Sequence, residues 1–138
     1  MKTITLYRPV GEKELVLIAN ADFKEYSPRL DWQPIFYPVL YKDYAAEIAS
    51  KWNTVDDFGN YLGFVTQFKI TEEEFNRHRI ECVGAQQHEE LWVKSEELTR
   101  FNSEIVGKIE VIDVFIGDKY KKSKFKIVNE LINQLKKK

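Results

Sequence analysis

β-forming segments crowd into the stretch from Tyr61 to Ile116, separated by helical segments of unequal length. That arrangement points to an α+β fold rather than a doubly wound parallel sheet. Tyr61 to Ile70 alternates, with Phe64, Thr66, Phe68 and Ile70 on one side and Val65, Gln67 and Lys69 on the other. Arg79 to Val83 and His88 to Val93 read as shorter strands, the first stopped by Gly84. Ile105 to Ile116 is the longest β-rich run, and Gly107 and a change of apolar face near Ile112 predict a bulge in it. Thr71 with Glu74 forms a capping box that starts a short helix at Glu72, and Ser95 starts a helical turn through Phe101.

The first sixty residues are less regular. Ile4 to Tyr7 alternates as a short strand whose continuation Pro9 should limit, and Glu12 to Ala19 reads as a helix after Gly11. Asp22 to Pro34 is an irregular connection, and Pro34-Ile35-Phe36-Tyr37-Pro38 is a short strand held between prolines. Tyr41, Tyr44, Ala45, Ile48, Ala49 and Trp52 recur with helical spacing, which predicts a helix with that whole stripe in the core.

A chain of 138 residues has room for one domain with a sizeable core. Its net charge of -1 hides an uneven distribution: residues 119–138 hold eight lysines and one acid, leaving -8 on the rest. The division expected is an α+β domain over 1–118 and a lysine-rich helical tail over 119–138, with Phe125, Val128, Leu131, Ile132 and Leu135 at helical spacing. A body this acidic is a poor match for nucleic acid, because phosphate attraction needs positive charge on the docking face. The tail could pack on its own domain or meet a protein partner or an anionic surface. The lone Cys82 excludes an internal disulfide and reads as a small core residue. With no apolar run after Met1 and none of the roughly 18 residues a membrane span needs, a cytoplasmic protein is expected.

Phosphate loops, CxxC pairs, HExxH and GxSxG are all absent, and only His78 and His88 are available as imidazole ligands, so no metal site is expected. On a strand, His88, Glu90 and Trp92 share one face while Leu91 and Val93 anchor the other. The shared face offers an imidazole and a carboxylate about 7 Å apart beside an aromatic ring. Such a carboxylate orients a hydroxyl or stabilises a cationic transition state, though the pattern also fits a solvated strand face. Arg8 ends the first strand and suits a phosphate or ribose. Tyr37 either stacks on a ring or half-buries in the core.

The order of these features resembles the ADP-ribosyltransferase fold, and more narrowly the small bacterial "ADP-ribosylation/crystallin J1" proteins. Leu6-Tyr7-Arg8-Pro9-Val10-Gly11 resembles that fold's first strand. Pro34-Ile35-Phe36-Tyr37, Ala45-Ala46-Glu47-Ile48-Ala49 and Gly63-Phe64-Val65-Thr66 resemble its second strand, following helix and third strand. Glu89-Glu90-Leu91-Trp92-Val93 resembles the strand bearing the family glutamate, and Ile105 to Phe115 the closing strand. The resemblance implies NAD as substrate, with Arg8, Tyr7 and Tyr37 as NAD-contacting residues and Glu90 and His88 as catalytic ones. The activity implied is transfer of ADP-ribose to an acceptor, or hydrolysis of NAD. Phe36-Tyr37-Pro38-Val39 stands where arginine-bearing members carry Ser-Thr-Ser, and His88 where many have Glu or Gln. These departures motivate the alternative of a non-catalytic nucleotide- or protein-binding module.

Overall fold

The computed structural model describes residues 2–28, 33–84 and 87–136. The middle of the connection between Asp22 and Pro34, residues 29–32, lies outside them. The chain is α+β, with β1 (Thr3–Val10), α1 (Glu12–Asn20), β2 (Ile35–Phe36), α2 (Lys42–Lys51), β3 (Leu62–Thr71) and α3 (Glu72–Phe75) in its first part. There follow β4 (Arg79–Cys82), β5 (Glu89–Lys94), α4 (Leu98–Ser103), β6 (Ile105–Ile116) and α5 (Lys126–Lys136). Single 3₁₀ turns occupy Asn53–Val55, Asp57–Gly59 and Ser95–Glu97.

The strands form two antiparallel three-stranded sheets, β1-β3-β6 and β2-β5-β4. Val39 joins them. It pairs with Tyr7 on one side, through bonds of 2.9 and 2.7 Å, and with Glu90 on the other. The first strand of one sheet and the fifth strand of the chain therefore run on either side of one residue.

Pro9 does not stop β1, which continues through it to Val10. The reason lies in the hydrogen-bond direction. Tyr7 turns its N–H away from β3 toward Val39, and Pro9, two residues on, occupies the same outward position. No bond to β3 is lost, and proline is tolerated there as on an edge strand.

Strand β3 is the centre of the molecule. Phe64, Thr66, Phe68 and Ile70 face the main core, while Val65 faces the smaller cluster beneath α2, so both faces of this strand are covered. Phe68 packs edge-on against Tyr26 and Phe101, with centroids 5.2 and 6.0 Å away. In β6 the pairing with β3 shifts twice. Val65 pairs Asp113 while Thr66 pairs Val111, which skips Ile112, and a second shift falls across Gly107, whose φ is +79°. The predicted irregularity is present at both positions.

Half of the predicted capping box forms. The Thr71 hydroxyl accepts from the Glu74 N–H at 3.3 Å, but the Glu74 carboxylate does not return to Thr71. It is buried instead, accepting from His78 Nε2 at 2.6 Å and from Arg100 Nε at 3.1 Å. Arg77 Nε stands 3.6 Å from it as well, and burial of this carboxylate is offset by these three basic partners.

Two expectations about burial are overturned. Tyr44, Ala45 and Ala49 are buried under α2, but Tyr41 and Trp52, at the two ends of the stripe, are exposed. The helix is too short to carry the full pattern, and its ends leave the sheet. Cys82 ends β4, a strand with one neighbour, and is exposed rather than core. A thiol reagent is expected to modify one equivalent in the native protein without denaturant.

The basic tail is helical over Lys126–Lys136 and packs on α1 and β6. Val128 and Ile132 are buried in the main core, and the Asn60 side chain holds the segment leading to the helix by donating to Lys121 O at 2.7 Å. Val128→Ala should cost about 2 kcal/mol through lost burial and a residual cavity, whereas Lys126→Ala on the solvent face should stay within about 0.5 kcal/mol. Urea denaturation of both variants measures the difference. Among the described residues no helix is long and apolar enough to cross a membrane.

Candidate functional site

Alternation along β1 turns Leu6, Arg8 and Val10 inward. Arg8 is thus a cation placed on an otherwise apolar face, 7% exposed, and it needs a counter-charge. The chain supplies one six residues later. The Gly11 Cα lies so near Gly59 that a Cβ on Gly11 would come within 2.9 Å of it, and this close approach starts α1 directly over the end of β1. Glu14 in the first turn of α1 then meets the guanidinium side-on, accepting from Nε at 2.7 Å and from Nη2 at 3.1 Å. The Arg8 Cζ also stands 4.7 Å from the Phe36 ring centroid and 5.7 Å from that of Tyr37. Burial, the largest single influence, pulls the guanidinium pKa down. The charge and hydrogen bonds of Glu14 outweigh it, and the net shift is upward. Below, Thr66 Oγ1 donates to the Arg8 carbonyl at 2.7 Å and contacts the Tyr26 hydroxyl at 2.8 Å, fixing the backbone at this point.

On β5 the anchors behave as the alternation predicts: Leu91 and Val93 are fully buried. Each contributes roughly 1.5–3 kcal/mol of hydrophobic stabilisation. The opposite face carries His88, Glu90 and Trp92. Glu90 is 8% exposed, and its two oxygens accept from different donors: Oε2 from the Tyr44 hydroxyl at 2.6 Å and Oε1 from Trp92 Nε1 at 3.0 Å. Burial, then the hydrogen bond to Glu90 and its charge, raise the Tyr44 pKa well above the ordinary phenol value, so Tyr44 remains a donor at neutral pH.

His88 stacks on the other side of Tyr44, with ring centroids 4.4 Å apart and planes 16° from parallel. Its Nε2 lies 2.7 Å from Glu47 Oε2. Hydrogen bonds from Lys51 and then from His88 hold the Glu47 carboxyl below its usual range. His88 therefore supports Tyr44, and Tyr44 in turn aims Glu90.

Arg8, Glu14, Tyr37, Tyr44, Glu90 and Val39 are among the residues lining one cleft of about 470 Å³. Small-ligand sites commonly span about 300–1,000 Å³. Lys13, Trp52 and Phe58 form part of its rim, with Lys13 Nζ 3.9 Å from the Phe58 ring centroid. Of the residues singled out in the sequence, Arg8, Tyr37 and Glu90 line this cleft together. His88 lies outside the lining, behind Tyr44. Tyr7 packs beside Val39 under α2 and borders a separate depression with Thr5, Gln67 and Lys69.

Glu14, Tyr44, Trp52 and Phe58 belong to the cleft and were not legible as such. Tyr44 and Trp52 were absorbed in a helical stripe, and the pairing of Arg8 with Glu14 crosses a strand-to-helix turn that has no periodic signature. Among the described residues no group of three His, Cys, Asp or Glu side chains is placed to hold a metal ion.

Chemically, the cleft presents a fixed carboxylate, an arginine fork and aromatic rings to one volume. The carboxylate suits a developing cationic centre, the fork suits a phosphate or carboxylate, and the rings suit a planar ligand. Compared with protein-family models, with curated proteins and with solved structures, the chain finds no match in any of the three.

Proposed function

We propose that the chain binds NAD in this cleft and acts as an ADP-ribosyltransferase-like protein, passing ADP-ribose to an acceptor or to water. One observation carries the reading: Arg8 on β1, Tyr37 beyond β2 and Glu90 on β5, far apart in sequence, line the same cleft. In the proposed reaction the bond between nicotinamide and ribose breaks, and its electron pair leaves with nicotinamide. The ribose carbon acquires oxocarbenium character, which the Glu90 carboxylate stabilises until an acceptor nucleophile or water donates a new pair and releases its proton to solvent. Tyr37 stacks on the planar end of the ligand, and Arg8 meets its phosphates.

A second reading, a non-catalytic nucleotide-binding module, draws on a specific observation. Arg8 is already neutralised by Glu14, and both Glu90 oxygens are already hydrogen-bonded. Incubating the full chain with NAD and measuring free nicotinamide by chromatography separates the two. Release above the protein-free rate supports the enzyme; saturable NAD binding without release supports the module.

A further inference from the structure

The Arg8–Glu14 pair is more than a structural neutralisation, because it stands in the lining of the cleft itself. Arg8 is nearly buried, while the Glu14 side chain retains 25% of its exposure, so the carboxylate is the partner with room to leave. Glu14 approaches through Nε and one terminal nitrogen, the side-on geometry in which a phosphate or carboxylate ligand also engages arginine. A ligand anion and Glu14 cannot both occupy that edge of the fork.

We infer that Glu14 is an internal competitor for Arg8, so that the cleft accepts an anionic ligand only by displacing this carboxylate. Glu14 thereby sets the affinity of the cleft for phosphates. It weakens binding of isolated inorganic anions, whereas a ligand that also engages Tyr37 and Glu90 gains enough elsewhere to open the pair. The inference rests on the cleft reading above, and it gives the pyrophosphate of NAD a specific opponent. It assigns Glu14 a specificity-determining role without making it a catalytic residue.

The test uses inorganic pyrophosphate titrated calorimetrically into the full chain, so it requires neither NAD chemistry nor an acceptor. Glu14→Gln, which keeps the shape and one acceptor oxygen but removes the charge, is expected to tighten pyrophosphate binding about tenfold or more. Arg8→Gln combined with Glu14→Gln should abolish the gain. Asp43→Asn removes a negative charge from the exposed first turn of α2, outside the lining, and should change the affinity by less than about twofold. An unchanged or weaker affinity in Glu14→Gln overturns the inference, and so does an equal gain in Asp43→Asn, which would reduce the effect to general charge. Should Glu14→Gln lose its fold, Glu14→Asp decides, because the shorter side chain cannot hold both nitrogens. An affinity no tighter than wild type then counts against the competitor. Failure of the NAD reading looks different: pyrophosphate binding responds to Glu14, but neither wild type nor variant binds NAD.

Discussion

Replacing Glu90 with Gln is expected to lower nicotinamide release from NAD by about 100-fold or more while leaving the fold and NAD binding nearly intact. The substitution is close to isosteric. Gln can still accept from Trp92 Nε1 at one end and meet the Tyr44 hydroxyl at the other, so the hydrogen bonds that position the side chain are largely kept. What disappears is the negative charge that the proposed reaction sets beside the ribose carbon. An interaction that matters only as positive charge develops shows itself in the rate and not in ground-state affinity. The expected signature is a large fall in kcat with KM changed by less than about threefold. A parallel rise in KM and loss of thermal stability would instead make Glu90 a structural residue. Tyr44→Phe supplies a graded comparison, since it removes one of the two donors that aim the carboxylate but retains the charge.

Gly63→Ala is expected to produce a large loss of stability for so conservative a change. Gly63 lies at the start of β3 where α2 crosses the sheet, and a Cβ there would sit 2.5 Å from the Ala49 carbonyl oxygen and 2.9 Å from the Ala49 Cα. The obstruction is the Ala49 backbone, so no side-chain rotation relieves it. The entropic benefit of replacing glycine, at most about 1 kcal/mol, cannot offset a clash of that kind. Overpacking costs on the order of 3 kcal/mol, which for a chain of this size lowers Tm by about 10 °C. The effect reaches the site. Ala49 and Tyr44 share α2, and lifting this helix draws the Tyr44 hydroxyl away from Glu90. A thermal melt combined with nicotinamide release measures both consequences. A variant that melts with the wild type would show that α2 does not rest on Gly63.

What the sequence disclosed follows from which signals are local. The anchors Leu91 and Val93, the alternation of Phe64 to Ile70 and the irregularities at Gly107 and Ile112 are visible because a strand's period reports directly which face is buried. The fate of Pro9 was not visible, since tolerance of proline depends on which edge its nitrogen faces, and only the pairing of Tyr7 with Val39 determines that. Cys82 and Trp52 look like core residues by type, yet each stands at the end of an element that the sheets do not cover. Of the residues that line the cleft, Arg8, Tyr37 and Glu90 are singled out in the sequence by residue type and by the resemblance that their order carries. Glu14, Tyr44 and the pairing of the buried Glu74 with the half-exposed Arg100 depend on contacts between elements, which periodicity does not encode.

The most direct test of the account is a calorimetric titration of NAD into the full chain, repeated with Arg8→Gln. The account predicts saturable binding at one NAD per chain in wild type, weakened at least tenfold when the Arg8 fork is lost. No detectable binding by the folded wild-type protein at millimolar NAD, or equal binding by the Arg8 variant, would contradict it.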